Sequence, residues 1–328
     1  MSEPLLTVDA LRVDLPVDSG LGSVLRDVSF TLDAAESLGI VGESGSGKSM
    51  TVRAIDRLLP RGAEVSGSIR FDGLDVMALG KRDLAAYRMR VAMIFQDPRA
   101  HINPLRTIGQ FLTEAVVTNK VMGKRAAEER STSLLAEVGV DRPQSRMRQY
   151  PFELSGGLLQ RVMIASALIT EPDLLLADEP TTALDVTTQS EVMAILDEIR
   201  RERGMALIFI THDLDLAAAV CDRTAVMYAG SIVETNASAA LHDHPMHPYT
   251  AALAEARPSM TSRARRLTVI PGVATSGLQA PSIGCAFAPR CTHAEPACTT
   301  SAIALRQVGT DRTSCLRAEE IFGVRHGN

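Results

Sequence analysis

Polar and apolar residues alternate through the first part of the chain. Leu6-Thr7-Val8, Leu11-Arg12-Val13-Asp14-Leu15 and Val28-Ser29-Phe30-Thr31-Leu32, with a turn at Asp18-Ser19-Gly20, predict short antiparallel strands with one solvated face. The pattern then changes. The apolar run Leu38-Gly39-Ile40-Val41 leads through glycine-rich residues into a helix reaching about Leu59 and stopped by Pro60-Arg61-Gly62. Gly67–Gly73 reads as a short strand closed by an Asp-Gly turn, and Val91–Phe95 as a buried strand ending in Gln96-Asp97-Pro98. Residues 108–149 are amphipathic at helical period, with breaks at Gly123 and Gly139. A helix over Leu158–Ile169 follows. The apolar strand Pro172–Ala177 then delivers Asp178 and Glu179 at its end. A helix over Gln189–Arg203, ended by Gly204, and a strand over Ala206–Thr211 followed by His212 complete the alternation. Strands alternating with helices predict an α/β fold with a mostly parallel sheet, its chemistry at the strands' C-terminal ends.

Beyond Pro258 helical periodicity fades, and Pro, Ser, Thr, Ala and Cys dominate. A boundary near Arg257-Pro258 is expected, giving one domain over 1–257, with a helical subdomain at about 97–165, and an extension over 258–328. The basic run Ser262-Arg263-Ala264-Arg265-Arg266 reads as a solvated linker. No internal repeat is found.

Composition narrows the function. The formal net charge is −5, aromatic content is 4% and tryptophan is absent, so neither a basic field nor base-stacking platforms point to nucleic acid. No stretch approaches the ~18 uninterrupted apolar residues of a membrane span. The start Met1–Leu6 lacks a basic region before an apolar block, so a cytosolic location is expected, with any membrane work done through a partner.

The candidate chemistry begins at Gly42-Glu43-Ser44-Gly45-Ser46-Gly47-Lys48-Ser49, a complete G-x-x-x-x-G-K-S pattern between a strand and a helix beginning with Met50. Glycines 42, 45 and 47 let backbone N–H groups face inward as an anion nest, and the helix N-terminus adds its positive end. Lys48 is placed to meet the β- and γ-phosphates of a nucleotide, and Ser49 to give its hydroxyl to Mg²⁺. Asp178, ending a buried strand, suits the Mg²⁺ shell, while Glu179 can polarise a water. His212 and Gln96 end neighbouring strands on the same edge, which suits a γ-phosphate contact for the first and Mg²⁺ ligation or water positioning for the second. Leu154-Ser155-Gly156-Gly157-Leu158 opens a helix with Ser155 at the N-cap and bare amides at Gly156 and Gly157. This is a second anion site. One chain has no evident use for two; a dimer does, if the second closes over a nucleotide held by its partner.

As a set, these residues resemble the ATP-binding cassette ATPases, and most closely the ATPase subunits of oligopeptide/dipeptide (peptide/nickel) importers. Gly42–Ser49 resembles Walker A, Leu174–Glu179 Walker B with its catalytic glutamate, Gln96 the Q-loop and Leu154–Gly157 the signature. Ala183-Leu184-Asp185 resembles the D-loop and His212 the switch histidine. Val91–Pro98 with Asn103-Pro104, Asp178–Thr187, Val226–Gly230, His247-Pro248-Tyr249-Thr250 and the cysteine-bearing tail carry the subfamily resemblance. It implies a P-loop NTPase (RecA-like) core with an antiparallel β subdomain, a helical subdomain and a small Cys-rich C-terminal extension. It further implies ATP and Mg²⁺ as ligands, permease subunits and a second ATPase subunit as partners, and a solute-binding protein as an indirect one. The place is then the cytoplasmic face of the inner membrane. The chain departs from the pattern at Val13-Asp14-Leu15, which offers only Leu15 where an aromatic usually stacks on adenine, and at Leu158, where many cassettes have glutamine.

Cys285, Cys291, Cys298 and Cys315 are separated by five, six and sixteen residues. Clustered cysteines in a reducing compartment point to metal rather than disulfides. The absence of a C-x₂₋₄-C pair speaks against structural zinc, and wide spacing suits a cubane cluster. In the importer subfamily the matching cysteines resemble [4Fe–4S] ligands; Zn²⁺ and free thiols are the alternatives. Cys221, alone, reads as a small buried hydrophobe.

Overall fold

The computed structural model describes residues 3–18, 20–181, 185–256 and 270–323. The expected boundary at Arg257-Pro258, the basic run 262–266 and residues Thr182, Ala183 and Leu184 lie outside the described residues. The chain divides into two compact units, one of residues 1–32, 37–77 and 210–328 and the other of residues 33–36 and 78–209.

In the first unit the early alternation forms not short strands but two long ones, Leu6–Val17 and Gly20–Leu32, paired antiparallel from Leu6↔Leu32 to Val17↔Gly20. Bulges with Ala10 and Asp27 at positive φ let each strand bend and continue where the pattern of apolar positions slips. Glu64–Phe71 adds to the other edge of Leu6–Val17, and Asp72-Gly73 turns it into Leu74–Asp75. The fully buried strand Ser37–Val41 pairs in parallel with Arg223–Tyr228. The helix after the phosphate loop spans Lys48–Ile55, beginning two residues and ending four residues earlier than expected. It ends because Arg57 turns left-handed (φ 52°) and Leu58 N–H reaches back to the Arg53 carbonyl, well before Pro60.

The tail, where helical periodicity fades, extends the first unit's sheet. Asp311–Thr313 pairs with Ser231–Ala237 through Glu234↔Thr313, and Arg306–Val308 forms the new edge. Ile270 and Phe287 join Val41, Tyr228, Val233 and Tyr249 in one core cluster. Three-residue strands and single helical turns carry too few residues to show a period.

In the second unit Val91–Ile94 pairs in parallel with Leu174–Asp178, and residues 206–209 of the strand Ala206–Thr211 follow in strand order. The helices Ile108–Thr118 and Lys124–Glu137 occupy the predicted helical region, broken at Gly123 and Gly139 as expected. The helix Val186–Arg203 begins three residues earlier than the pattern indicated, because the Asp185 carboxylate caps it by accepting from the Thr188 N–H at 3.0 Å.

Where the tail joins the sheet, the fully buried Glu234 accepts the Met246 N–H at 2.7 Å, and burial pushes its carboxyl up to about 7. The folded protein therefore binds this proton more tightly than the unfolded chain, whose value is 4.5. This residue's contribution to stability is complete below 4.5, falls as pH rises to about 7, and is flat above. His247, buried and held neutral with a value near 3, acts oppositely at lower pH, but it is common to wild type and variant. Glu234→Gln keeps an oxygen for Met246, so it should be more stable than wild type at pH 8, by about 3 kcal/mol, and converge with it near pH 4.5. Equal offsets at both pH values would contradict the assignment.

Candidate functional site

The phosphate loop is built as its sequence requires. Gly42 lies against the Met227 carbonyl, so close that a Cβ would stand 2.2 Å from its oxygen. Gly47, at φ 106°, caps the helix where a side chain would meet Leu25. The loop closes on itself through Ser46 N–H to the Glu43 carbonyl, and is tied to the sheet through Gly230 N–H to the Ser46 carbonyl. Lys48, 5% exposed, folds its ammonium back onto the Gly42 and Glu43 carbonyls at 2.7 and 3.1 Å. The buried Ser46 hydroxyl has no protein partner. Ser44 and Gly45 are exposed at the tip, and Ser49 and Met50 are half-buried at the start of the helix. A loop with a cation and an orphan hydroxyl at the start of a helix fits a polyphosphate.

Sequence reasoning missed what grips this loop. The Glu43 N–H donates to the Tyr249 hydroxyl at 2.8 Å. The Glu43 carboxylate receives both arms of the Arg290 guanidinium, at 2.6 and 3.1 Å. Arg290 is held above its ordinary pKa, first by that hydrogen bond to Glu43. The signal for Tyr249 was present in His247-Pro248-Tyr249-Thr250; Arg290 stood unremarked as a spacer beside Cys291.

The second unit assembles its own residues. Asp178, 2% exposed, ends the fully buried strand Leu174–Asp178. The next residue, Glu179, turns left-handed (φ 45°), a conformation that a non-glycine residue adopts at some strain. Its carboxylate accepts from the Gln96 side-chain amide at 3.1 Å, so two of the predicted residues meet at adjacent strand ends. The helix of the signature stretch starts at Gly156, two residues before the expected start, because Ser155 caps it through the Leu158 N–H at 3.4 Å. Ser155 and Gly156 at the start of this helix are exposed. His212, in the first unit, is exposed directly after its strand, with Asp213 capping the helix that follows. Leu15, the candidate base contact, is half-buried.

The four tail cysteines come together: Cys285, Cys291, Cys298 and Cys315 all line one small apolar cavity with Phe287 and Ile303. Burial, then mutual charge, pushes Cys285 and Cys315 up, the latter to about 11, and burial raises Cys291. Among the described residues, however, no group of three or more His, Cys, Asp or Glu side chains is arranged to hold a metal ion. Cys221 is buried after its helix, as expected.

Comparison with known proteins identifies the class. The ABC transporter family matches residues 25–182, and the family described as "Oligopeptide/dipeptide transporter, C-terminal region" matches residues 233–298. Among solved structures, cbiO1 of Clostridium perfringens, part of an ABC transporter complex, is similar with TM-score 0.62 and 26% identity, covering 72% of this chain and 90% of that one. A dimeric ATP-binding cassette bound to ADP and Pi shares the fold at TM-score 0.64 and 24% identity, over 71% of this chain and 98% of its own. The fold and its phosphate loop are those of a P-loop ATPase of the ATP-binding-cassette class. The oligopeptide transport ATP-binding protein OppD of Salmonella typhimurium is 44% identical over 298 residues, 90% of this chain and 89% of its own length. A putative peptide import ATP-binding protein of Brucella abortus is 43% identical over 297 residues, 90% of this chain and 89% of the relative. The chain belongs to the ABC transporter family, in the group of the oligopeptide transport ATP-binding proteins. Among its described residues no helix is long and apolar enough to cross a membrane.

Proposed function

We propose that this chain is the ATP-hydrolysing subunit of an importer of di- and oligopeptides, acting at the cytoplasmic face of the membrane beneath permease subunits that receive cargo from a solute-binding protein. The observation that carries the reading is identity of 44% sustained over 90% of the chain, including the region matched to peptide transporters. The same importer class carrying nickel or another small solute uses the same cassette, and the response to peptides separates the two. The test is hydrolysis by the assembled importer when peptide is supplied.

In this reading the cassette spans residues 1–257, with its helical subdomain at about 97–165, and the extension spans 258–328. Gly42–Ser49 and Met50 hold the nucleotide, with the amides on phosphate oxygens and Lys48 on the β- and γ-phosphates. Ser49, Asp178 and Gln96 would hold Mg²⁺, which when bound neutralises charge developing on the transferred phosphoryl group. Glu179, restrained by Gln96, orients and polarises the attacking water, and His212 contacts the γ-phosphate. Ser155, Gly156, Gly157 and Asp185 face the nucleotide of a second, identical or paralogous subunit. Closure of such a pair depends on γ-phosphate contacts that vanish on hydrolysis.

For the tail, four thiols around one apolar cavity are a donor set suited to a soft metal or a [4Fe–4S] cluster, with Zn²⁺ as the alternative. A cation there would offset the burial and mutual repulsion that now oppose thiolate formation. The cluster's role is to staple the tail. Anaerobically purified protein should carry iron and acid-labile sulfide at about four of each per chain. Stoichiometric zinc without sulfide would replace the cluster with a zinc site.

A further inference from the structure

The extension reaches the nucleotide loop through Arg290. Arg290 lies in the segment between Cys285 and Cys291, 5% exposed, and every donor of its guanidinium is engaged. Nε donates to the Pro271 carbonyl at 2.7 Å, Nη1 to Glu43 at 2.6 Å and the Tyr228 hydroxyl at 3.3 Å, and Nη2 to Glu43 at 3.1 Å and the Ile270 carbonyl at 3.5 Å. The Tyr228 and Phe287 rings each lie 5.8 Å from its central carbon. A side chain fixed at every donor is a rigid anchor, and what it anchors is the second residue of the phosphate loop.

Glu43 is also held on its other polar groups. Its N–H goes to Tyr249, and its carbonyl takes Lys48 and the Ser46 N–H. Its carboxylate is the one negative side chain in Gly42–Ser49, the segment that must receive a polyphosphate. Unpaired, that charge would repel the ligand and compete for Lys48. The two-armed bond to Arg290 neutralises it.

We propose that Arg290 is a positioning residue for nucleotide binding, so that the C-terminal extension forms part of the ATP-binding apparatus by holding the Glu43 carboxylate out of the phosphate site. The proposal rests on Gly42–Ser49 being the nucleotide loop. Lys48→Met tests that separately: if this variant binds MgATP like wild type, the loop reading fails whatever Arg290 does.

The experiment measures MgATP and MgADP dissociation constants by calorimetry on the full chain, for wild type, Arg290→Met, Arg290→Lys, Glu43→Gln and the two double variants. Arg290→Met should weaken MgATP binding about tenfold, and MgADP binding less, since one phosphate fewer meets the freed charge. Arg290→Lys, which keeps a charge without the fork, should fall between. In the Glu43→Gln background the same substitutions should change affinity less than twofold, because no carboxylate remains to hold. A merely structural role for Arg290 would lower the melting temperature and weaken both nucleotides equally, with or without Glu43. Equal losses in both backgrounds, or wild-type affinity in Arg290→Met, would overturn the proposal. Should Arg290→Met fail to fold, the Arg290→Lys pair carries the same comparison.

Discussion

Glu179→Gln should bind MgATP as wild type does and hydrolyse it 10²–10³-fold more slowly, accumulating as a closed, ATP-filled pair with its facing cassette. The size follows from removing one preorganised polar group at a reacting centre, typically worth ~2.7–4 kcal/mol of barrier. The substitution is conservative where conservatism matters. Glutamine fills the same space at φ 45° and can still bond to Gln96 through its oxygen, so the left-handed turn after Asp178 has no new reason to relax. What is lost is the negative charge that the proposed role gives to polarising the attacking water. Single-turnover hydrolysis and size measurement with MgATP check both halves of the expectation. Hydrolysis within a few-fold of wild type would remove Glu179 from the role.

Gly156→Asp should leave MgATP affinity intact and abolish both closure and turnover. A Cβ at Gly156 meets nothing within 4 Å, so the side chain has room. An aspartate in the first turn of the helix Gly156–Leu168 also favours that helix, through its N-terminal amides and dipole. Fold and stability therefore have no reason to fall. A carboxylate at this helix entrance, however, occupies and repels any phosphate arriving from a facing chain. Turnover should drop by at least ~10²-fold, while the isolated chain titrates ATP normally. A variant that hydrolyses ATP normally would mean that the second anion site is only a capped helix.

Much of this was legible in the residues because it rests on local rules. The strand–loop–helix at Gly42–Ser49, the strand ends carrying Asp178 and Gln96, and the Ser155 cap each follow from a short apolar run, a glycine or a capping side chain within a few positions. The misreadings were also local in kind. The helix after Lys48 ends at Ile55 because Arg57 adopts a left-handed turn that no sequence marker announces. Bulges at Ala10 and Asp27 join what looked like separate strands. The tail was the least legible. Its strands are three residues long, and its stability lies in pairings such as Glu234↔Thr313, between positions nearly eighty residues apart. The Arg290–Glu43 pair spans 247 positions and has no periodic or motif signature at all.

Burial of Phe287 and Ile270 with Tyr228 and Tyr249 makes the extension a structural continuation of the first unit, and Arg290 turns that continuity towards the phosphate loop. Any group bound among the four cysteines would therefore sit in the lobe that positions Glu43, one residue from Arg290.

The central claim is that ATP hydrolysis on this chain drives peptide import. Its most direct test is the ATPase rate of the complete importer, isolated with its permease subunits and partner cassette in lipid nanodiscs, as peptide-loaded binding protein is added. The account predicts a rate that rises with loaded binding protein, saturates, and collapses in Glu179→Gln. A rate indifferent to peptide, or unchanged in Glu179→Gln, would contradict it.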